Sequence, residues 1–307
     1  MWKIISGIFL GWTLGSNDSA NIFGTGVATN IIKYKTAIVL TSVFVILGAI
    51  IEGEKCFATL DKLSSLTSTS SFFATLAAGT TMFILTYLAL PCSTSQAIVG
   101  AILGAGIVLG TANFSILYKI MLCWLLAPVS AAFISFMLYH MIGFFFKRYI
   151  TDLKKRSLFI FLGLLFSGCF GAFALGSNNV ANVTGTYVGS GLLTPFEGAL
   201  IGGLSIASGV LTYSKKVMTT VGKEITRMDE YSAFIAELSE AFTVEIFTHV
   251  GVPVSTSQAI VGGVVGVGFV KGVKTINKNT VFNIAVGWIS TPLVSGIISY
   301  FLTKIFI

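Results

Sequence analysis

PCSTSQAIVG, Pro91–Gly100, returns in this chain as PVSTSQAIVG, Pro253–Gly262. In each copy a proline is followed by small hydroxyl- or thiol-bearing residues, a glutamine and an apolar run. Proline cannot continue a preceding helix, and the Ser/Thr residues after it can cap the free N–H groups of a new one. An apolar segment leads in and another leads out, so each copy reads as a helical hairpin whose second leg starts at a polar tip. A helix start presents unpaired N–H donors and the positive end of the helix dipole, which suits an oxyanion. Ser93, Thr94, Ser95 and Gln96 in the first tip, and Ser255, Thr256, Ser257 and Gln258 in the second, are therefore the candidate anion-binding residues. Plain N-capping explains either tip taken alone; the recurrence of STSQ in both favours a shared ligand.

Composition fixes the setting. The chain has 307 residues, 54% hydrophobic and 10% charged, with a mean hydropathy of +0.90. Soluble domains carry about 25% charged residues, so this is an all-α integral membrane protein with the lipid bilayer as its solvent. No polar block is long enough for a soluble domain, and the net charge of +7 reads as basic loops beside a membrane rather than a nucleic-acid surface. The apolar run from Lys3 leads into a polar motif without a cleavage-site pattern and is taken as the first span. Cys56, Cys92, Cys123 and Cys169 show no metal-ligand spacing and read as buried free thiols.

The tips belong to a larger repeat. Leu14–Val27, LGSNDSANIFGTGV, matches Leu175–Val188, LGSNNVANVTGTYV, at an offset of 161, and Trp124 and Pro128 match Trp288 and Pro292, a pair read as a structural kink. Residues 1–150 and 151–307 are thus two copies of one transmembrane unit. Each has a first helix broken at its Gly-Ser-Asn motif, a second span, a polar piece, a hairpin with a polar tip and a long last segment. The hairpin returns to its own side, so each five-segment half crosses an odd number of times and the halves face opposite ways. Placing Lys147–Arg156 in the cytoplasm puts fourteen of the 19 Lys and Arg residues there, among them Lys33, Lys223, Arg227, Lys274 and Lys278. The positive-inside rule then predicts an inverted-topology repeat in a cell membrane with both termini outside.

Gly15–Asn21, GSNDSAN, and Gly176–Asn182, GSNNVAN, place polar residues inside apolar segments, which is tolerated only against protein or a wet cavity. A charged aspartate at mid-membrane costs roughly 2.5–3.5 kcal/mol on insertion scales, so Asp18 needs a partner. Carboxylate, amide and carbonyl oxygens suit a hard cation; Na⁺ is the natural one and H⁺ the alternative. Glu237, Glu240 and Glu245 precede the second tip, where the first hairpin has Thr75, Ala78 and Phe83. Their spacing puts them on about one helix face, where Glu237 and Glu240 would gate access or bind a cation, or lie idle at an interface. His249 reads as a satisfied interior histidine.

Together these motifs resemble the inorganic phosphate transporter (PiT) family, whose signature is a repeated G-[AS]-N-D-x-A-N. Lys216–Thr226, KVMTTVGKEIT, and the run Ala236–Gly268 resemble the second half of that family. The resemblance covers almost the whole chain and implies a Na⁺- or H⁺-coupled symporter of inorganic phosphate, with sulfate carriers among its relatives. It implies that Asn17, Asp18, Asn21, Asn178 and Asn182 hold cations, with Ser93 and Ser255 shared between cation and anion. Asn179 stands in this set where the family usually has aspartate, which weakens one cation site and leaves the stoichiometry open. No cofactor other than the coupling ion is expected. A sulfate permease and an uncoupled anion channel are the alternatives. A serine hydrolase lacks a base repeated at both tips, so the chain reads as no enzyme. The long last segments are free to pair in a homodimer.

Overall fold

The computed structural model describes residues 2–28, 30–88, 92–150, 152–218, 228–272 and 278–307, with the side chains of 28 and 278–285 set aside. Pro91, most of the Lys216–Thr226 stretch and Lys223, Arg227 and Lys274 lie outside the described residues, as does the side chain of Lys278. The chain runs through α1 (Ile5–Asp18), α2 (Ala20–Ala28), α3 (Tyr34–Glu52), α4 (Glu54–Leu63), α5 (Ser68–Tyr87) and α6 (Thr94–Leu109). It continues through α7 (Phe114–Tyr149), α8 (Leu153–Gly189), α9 (Pro195–Tyr213), α10 (Glu230–Val250), α11 (Thr256–Lys271) and α12 (Lys278–Phe306). There is no strand among the described residues.

Helix starts follow local chemistry. Thr67 and Ser70 form a capping box ahead of α5, Thr194 and Glu197 form another ahead of α9, and Asn113, Asp152 and Asp229 cap α7, α8 and α10. Ser93 and Ser255 cap α6 and α11 by accepting from the backbone N–H of Gln96 and Gln258. Gly110 and Gly251 end α6 and α10 in the left-handed region, at φ 68° and 76°.

Among the described residues six helices are long and apolar enough to cross a membrane: α3, α5, α7, α8, α9 and residues 286–306 of α12. By contrast α6 and α11 have 16 residues each, about 24 Å at 1.5 Å per residue, less than the ~30 Å hydrocarbon core. Leu125 and Phe133 on α7 and Ile289 and Ile305 on α12 are about two-thirds exposed, 66–70%, and form part of the apolar outer wall.

The closest helix crossings come in matched pairs. A Cβ on Gly15 of α1 would lie 1.9 Å from the Ile206 carbonyl oxygen of α9, and one on Gly176 of α8 would lie 2.0 Å from that of Val45 in α3. Both residues of the second crossing are those of the first moved by 161 positions or back. Gly100 of α6 meets the Pro292 carbonyl of α12 in the same way, at 2.1 Å, and Gly262 of α11 that of Pro128 in α7, at 2.2 Å. Each stretch of one copy is therefore packed against a stretch of the other, and only glycine allows backbones so near.

One local expectation is corrected. The first helix is interrupted in the first copy alone, at Ser19 between α1 and α2, whereas α8 runs unbroken through Gly176–Asn182. The asparagine side chains of α8 find partners on neighbouring segments without any break in its own ladder.

Candidate functional site

The two tips meet. Ser95 at the start of α6 donates to the Val254 carbonyl oxygen at 2.8 Å, and Ser257 at the start of α11 donates to the Cys92 carbonyl oxygen at 3.2 Å. Each serine thus reaches the backbone just before the opposite helix, and the N-termini of α6 and α11 share one buried region. Thr94, Ser95, Gln96, Thr256, Ser257 and Gln258 are all 4% exposed or less. The bond repeats under the exchange of copies because the residues that make it repeat.

Asparagines of the two motifs hold the tips in place. Asn17 accepts from the Cys92 N–H at 3.4 Å and donates to Thr86 Oγ1 at 3.1 Å; Asn178 accepts from the Val254 N–H at 2.8 Å and donates to Thr248 Oγ1 at 3.0 Å. Each copy therefore clamps its own tip with the same pair of atoms. Asn21 donates to Thr256 Oγ1 at 3.3 Å, across to the other copy's tip. Asn182 does the same in reverse, donating to Ser95 Oγ at 3.0 Å and also to Asn179 Oδ1 at 2.7 Å. Asp18 accepts from Thr94 Oγ1 at 3.2 Å. Ser93 and Ser255 act as helix caps, and Ser255 Oγ lies 2.8 Å from Ser257 Oγ.

The leftover valences decide what this region can hold. Asp18 Oδ1, Asn21 Oδ1, Asn182 Oδ1, Gln96 Oε1 and Gln258 Oε1 are buried acceptors without a hydrogen-bond partner among the described residues. Five uncompensated oxygens beside two helix starts make an oxygen-rich lining, which suits a hard cation or a protonated oxyanion. Asn179 lies in the same cluster, where its Oδ1 is 3.0 Å from Ser95 Oγ and its Nδ2 has no partner among the described residues. Gln96 and Gln258 also border an apolar groove of about 960 Å³ between α6, α7 and α12.

The glutamates of α10 part company. Thr25 of α2 donates to Glu237, and Glu240 is fully buried beside Gly171 of α8. Glu245 is half-buried elsewhere, accepting from Ser177 at 3.3 Å and pairing with His249 at 3.4 Å. At 100° per residue the three spread over about 140° of the helix, too wide for one face. The expectation of an interior His249 is also corrected. It is exposed in the last turn of α10, with Nδ1 3.1 Å from Lys55 Nζ. Cys56, Cys92 and Cys123 are buried free thiols and Cys169 is half-buried. Thr86 and Thr248 went unmarked in the sequence, although their offset of 162 equals that of the tips.

Comparison with known proteins adds the affiliation. Residues 14–299 match the phosphate transporter family. The chain belongs to the phosphate transporter family. A Methanocaldococcus jannaschii member with the provisional name phosphate permease is 33% identical over 302 residues, covering 98% of this chain and 96% of its own. The Bacillus subtilis sulfate permease CysP is 30% identical over 310 residues, covering 99% and 87%. Among solved structures, one described as the sodium-dependent phosphate transporter superposes with a TM-score of 0.85 at 22% identity, over 99% of this chain and 98% of that one. The fold is therefore that of a phosphate transporter family member, and the chain is a multi-pass membrane protein.

Proposed function

We propose that this protein is a secondary active transporter that carries inorganic phosphate across a cell membrane with cations, Na⁺ at the central site, by alternating access. The observation that carries this reading is the meeting of the two STSQ tips, Ser95 with Val254 and Ser257 with Cys92, beside Asp18. Helix N-termini and hydroxyls hold the anion; Asp18 and the oxygens of Asn17, Asn21, Asn178, Asn179 and Asn182 serve the cations, with Ser93 and Ser255 between them. Residues 1–150 and 151–307 are the two units that rock against each other. They cross in opposite senses with both termini outside, a reading supported by the concentration of Lys and Arg residues on one side of that arrangement.

Energetics favour coupling. One elementary charge across 100 mV is worth about 2.3 kcal/mol, so a dianion entering against that potential costs about 4.6 kcal/mol. Two cations cancel this and a third makes entry favourable. An uncoupled channel has no use for a buried carboxylate beside the anion.

Sulfate is the second reading, favoured by the likeness to CysP. The unpartnered acceptors Gln96 Oε1, Gln258 Oε1 and Asp18 Oδ1 weigh towards phosphate, which can donate a proton where sulfate has none. Uptake of labelled phosphate into proteoliposomes with and without an inward Na⁺ gradient, competed by sulfate, tests both. Cation-dependent phosphate uptake that excess sulfate leaves in place is expected; uptake indifferent to every cation at every pH would sink the proposal.

A further inference from the structure

Glu240 stands apart from the site just described. Its side chain is fully buried, and neither carboxylate oxygen has a hydrogen-bond partner among the described residues. Its neighbour Glu237, whose Oε2 has no partner among the described residues, differs in having its other oxygen, Oε1, engaged by the Thr25 hydroxyl. This reproduces with a carboxylate what Thr75 does in α5, where it bonds Ser6 at 2.8 Å and Tyr187 at 2.7 Å. Glu237 therefore fills a polar place that both copies share. Glu240 fills one that the first copy gives to Ala78, so packing in this fold does not require a polar group there.

The surroundings select the ligand. A Cβ placed on Gly171 would find Glu240 Oε2 at 3.4 Å, Ile22 Cγ2 at 3.5 Å and Ala241 Cβ at 3.8 Å, so the carboxylate lies beside the α8 backbone at a glycine, in a region it shares with Ile22 and Ala241. Among the described residues the charged groups within electrostatic reach are Glu237 on the same helix and Asp18 at the end of α1, with no Lys, Arg or His of α2, α4, α7, α8 or α11 among them. An ionised carboxylate with neither donor nor counter-charge is far costlier to bury than the neutral acid. A metal cation would need a shell of several oxygens, and no described residue gives this carboxylate even one polar partner. A proton needs only the carboxylate itself.

We propose that Glu240 is a proton-binding site of the transport cycle, so that the chain moves H⁺ in addition to the ions of its central site. The proton binds the Glu240 carboxylate when α10 is open to water on one side, is shielded in the arrangement described here, and leaves to water on the other side. Because Asp18 lies within electrostatic reach, a cation arriving there favours the ionised Glu240, and loss of that cation favours the proton. The inference rests on the transporter reading above, and one of its tests does not.

The full-length protein is reconstituted with equal Na⁺ on both sides, the potential is clamped, and labelled phosphate uptake is read with and without an inward proton gradient. Uptake by the wild type rises severalfold with the gradient, and in Glu240→Gln the ratio falls to one. Glu240→Ala is the second variant, since Ala78 shows that alanine fits the matching place. Independently of any transport, infrared difference spectra between acid and neutral pH contain a protonated-carboxyl band that Glu240→Gln removes and Glu237→Gln leaves. A gradient response that survives both substitutions, a wild type without that response, or a band untouched by Glu240→Gln overturns the proposal. A changed Na⁺ dependence with an intact proton response overturns it too, in favour of a sodium ligand. Failure of phosphate uptake altogether strikes the transporter reading, and the spectra then decide on Glu240 alone.

Discussion

The Ser95 hydroxyl donates to the Val254 carbonyl oxygen across 2.8 Å and so ties the start of one short helix to the approach of the other. The same hydroxyl lies 3.0 Å from Asn179 Oδ1 and accepts from Asn182 at 3.0 Å. A hydroxyl has one proton, so it can serve Val254 or Asn179 but not both at once. An anion drawing that proton would loosen the bond between tips, which couples ligand capture to their separation.

Ser95→Ala and Ser257→Ala are expected to raise the KM for phosphate by about tenfold, the equivalent of ~1.4 kcal/mol. Ser95→Ala also leaves Asn182 and the Val254 carbonyl short of a partner, so it should cost about 1–3 kcal/mol of stability. Ser257→Ala, whose hydroxyl has fewer partners, should cost less. Uptake kinetics and thermal unfolding in detergent check this; unchanged KM in both variants contradicts the assignment of the tips.

Asp18→Asn removes the one carboxylate of the central site while keeping its shape and its Thr94 contact. Na⁺ should then no longer stimulate uptake. It should also no longer raise the melting temperature, because a ligand that binds only the folded state stabilises by RT ln(1 + [L]/Kd). A Na⁺ profile equal to that of the wild type would count against the cation role.

Gly100→Ala and Gly262→Ala form a matched pair. The added methyl would stand 2.1 and 2.2 Å from the Pro292 and Pro128 carbonyl oxygens. Backbone cannot yield as a side-chain tip can, so each should destabilise by about 1–3 kcal/mol or more, and by similar amounts. Melting curves of the two variants are the measurement; a tolerated alanine at either place would show that the helices stand further apart.

Single cysteines at Arg148 and at Ile307, in a background freed of Cys56, Cys92, Cys123 and Cys169, test the orientation. An impermeant thiol reagent applied from outside should label the Ile307 position and spare Arg148. The opposite pattern would reverse the membrane topology proposed here without touching the site.

Much of this was legible in the chain. Repeats at offsets of 161 and 162 made the order of the elements legible, since similar sequences form similar helices, although the break at Ser19 has no counterpart in α8. Ser93 and Ser255 were legible as helix starts because capping is a contact over three residues. What could not be read concerned direction and depth. Glu237, Glu240 and Glu245 looked alike on one helix, yet one is bonded to α2, one is buried without a hydrogen-bond partner among the described residues, and one pairs with the exposed His249.

By itself, then, the sequence determined that this is a bundle of membrane helices in two copies with polar tips, since hydropathy, capping and repetition act along the chain. Only the tertiary structure decided that Ser95 faces Val254, that α8 needs no break at Asn178, and that Glu240 is buried beside Gly171. Those facts depend on which helix lies across from which. Glycine-mediated approach of backbones from opposite copies sets that, and it leaves no local signature.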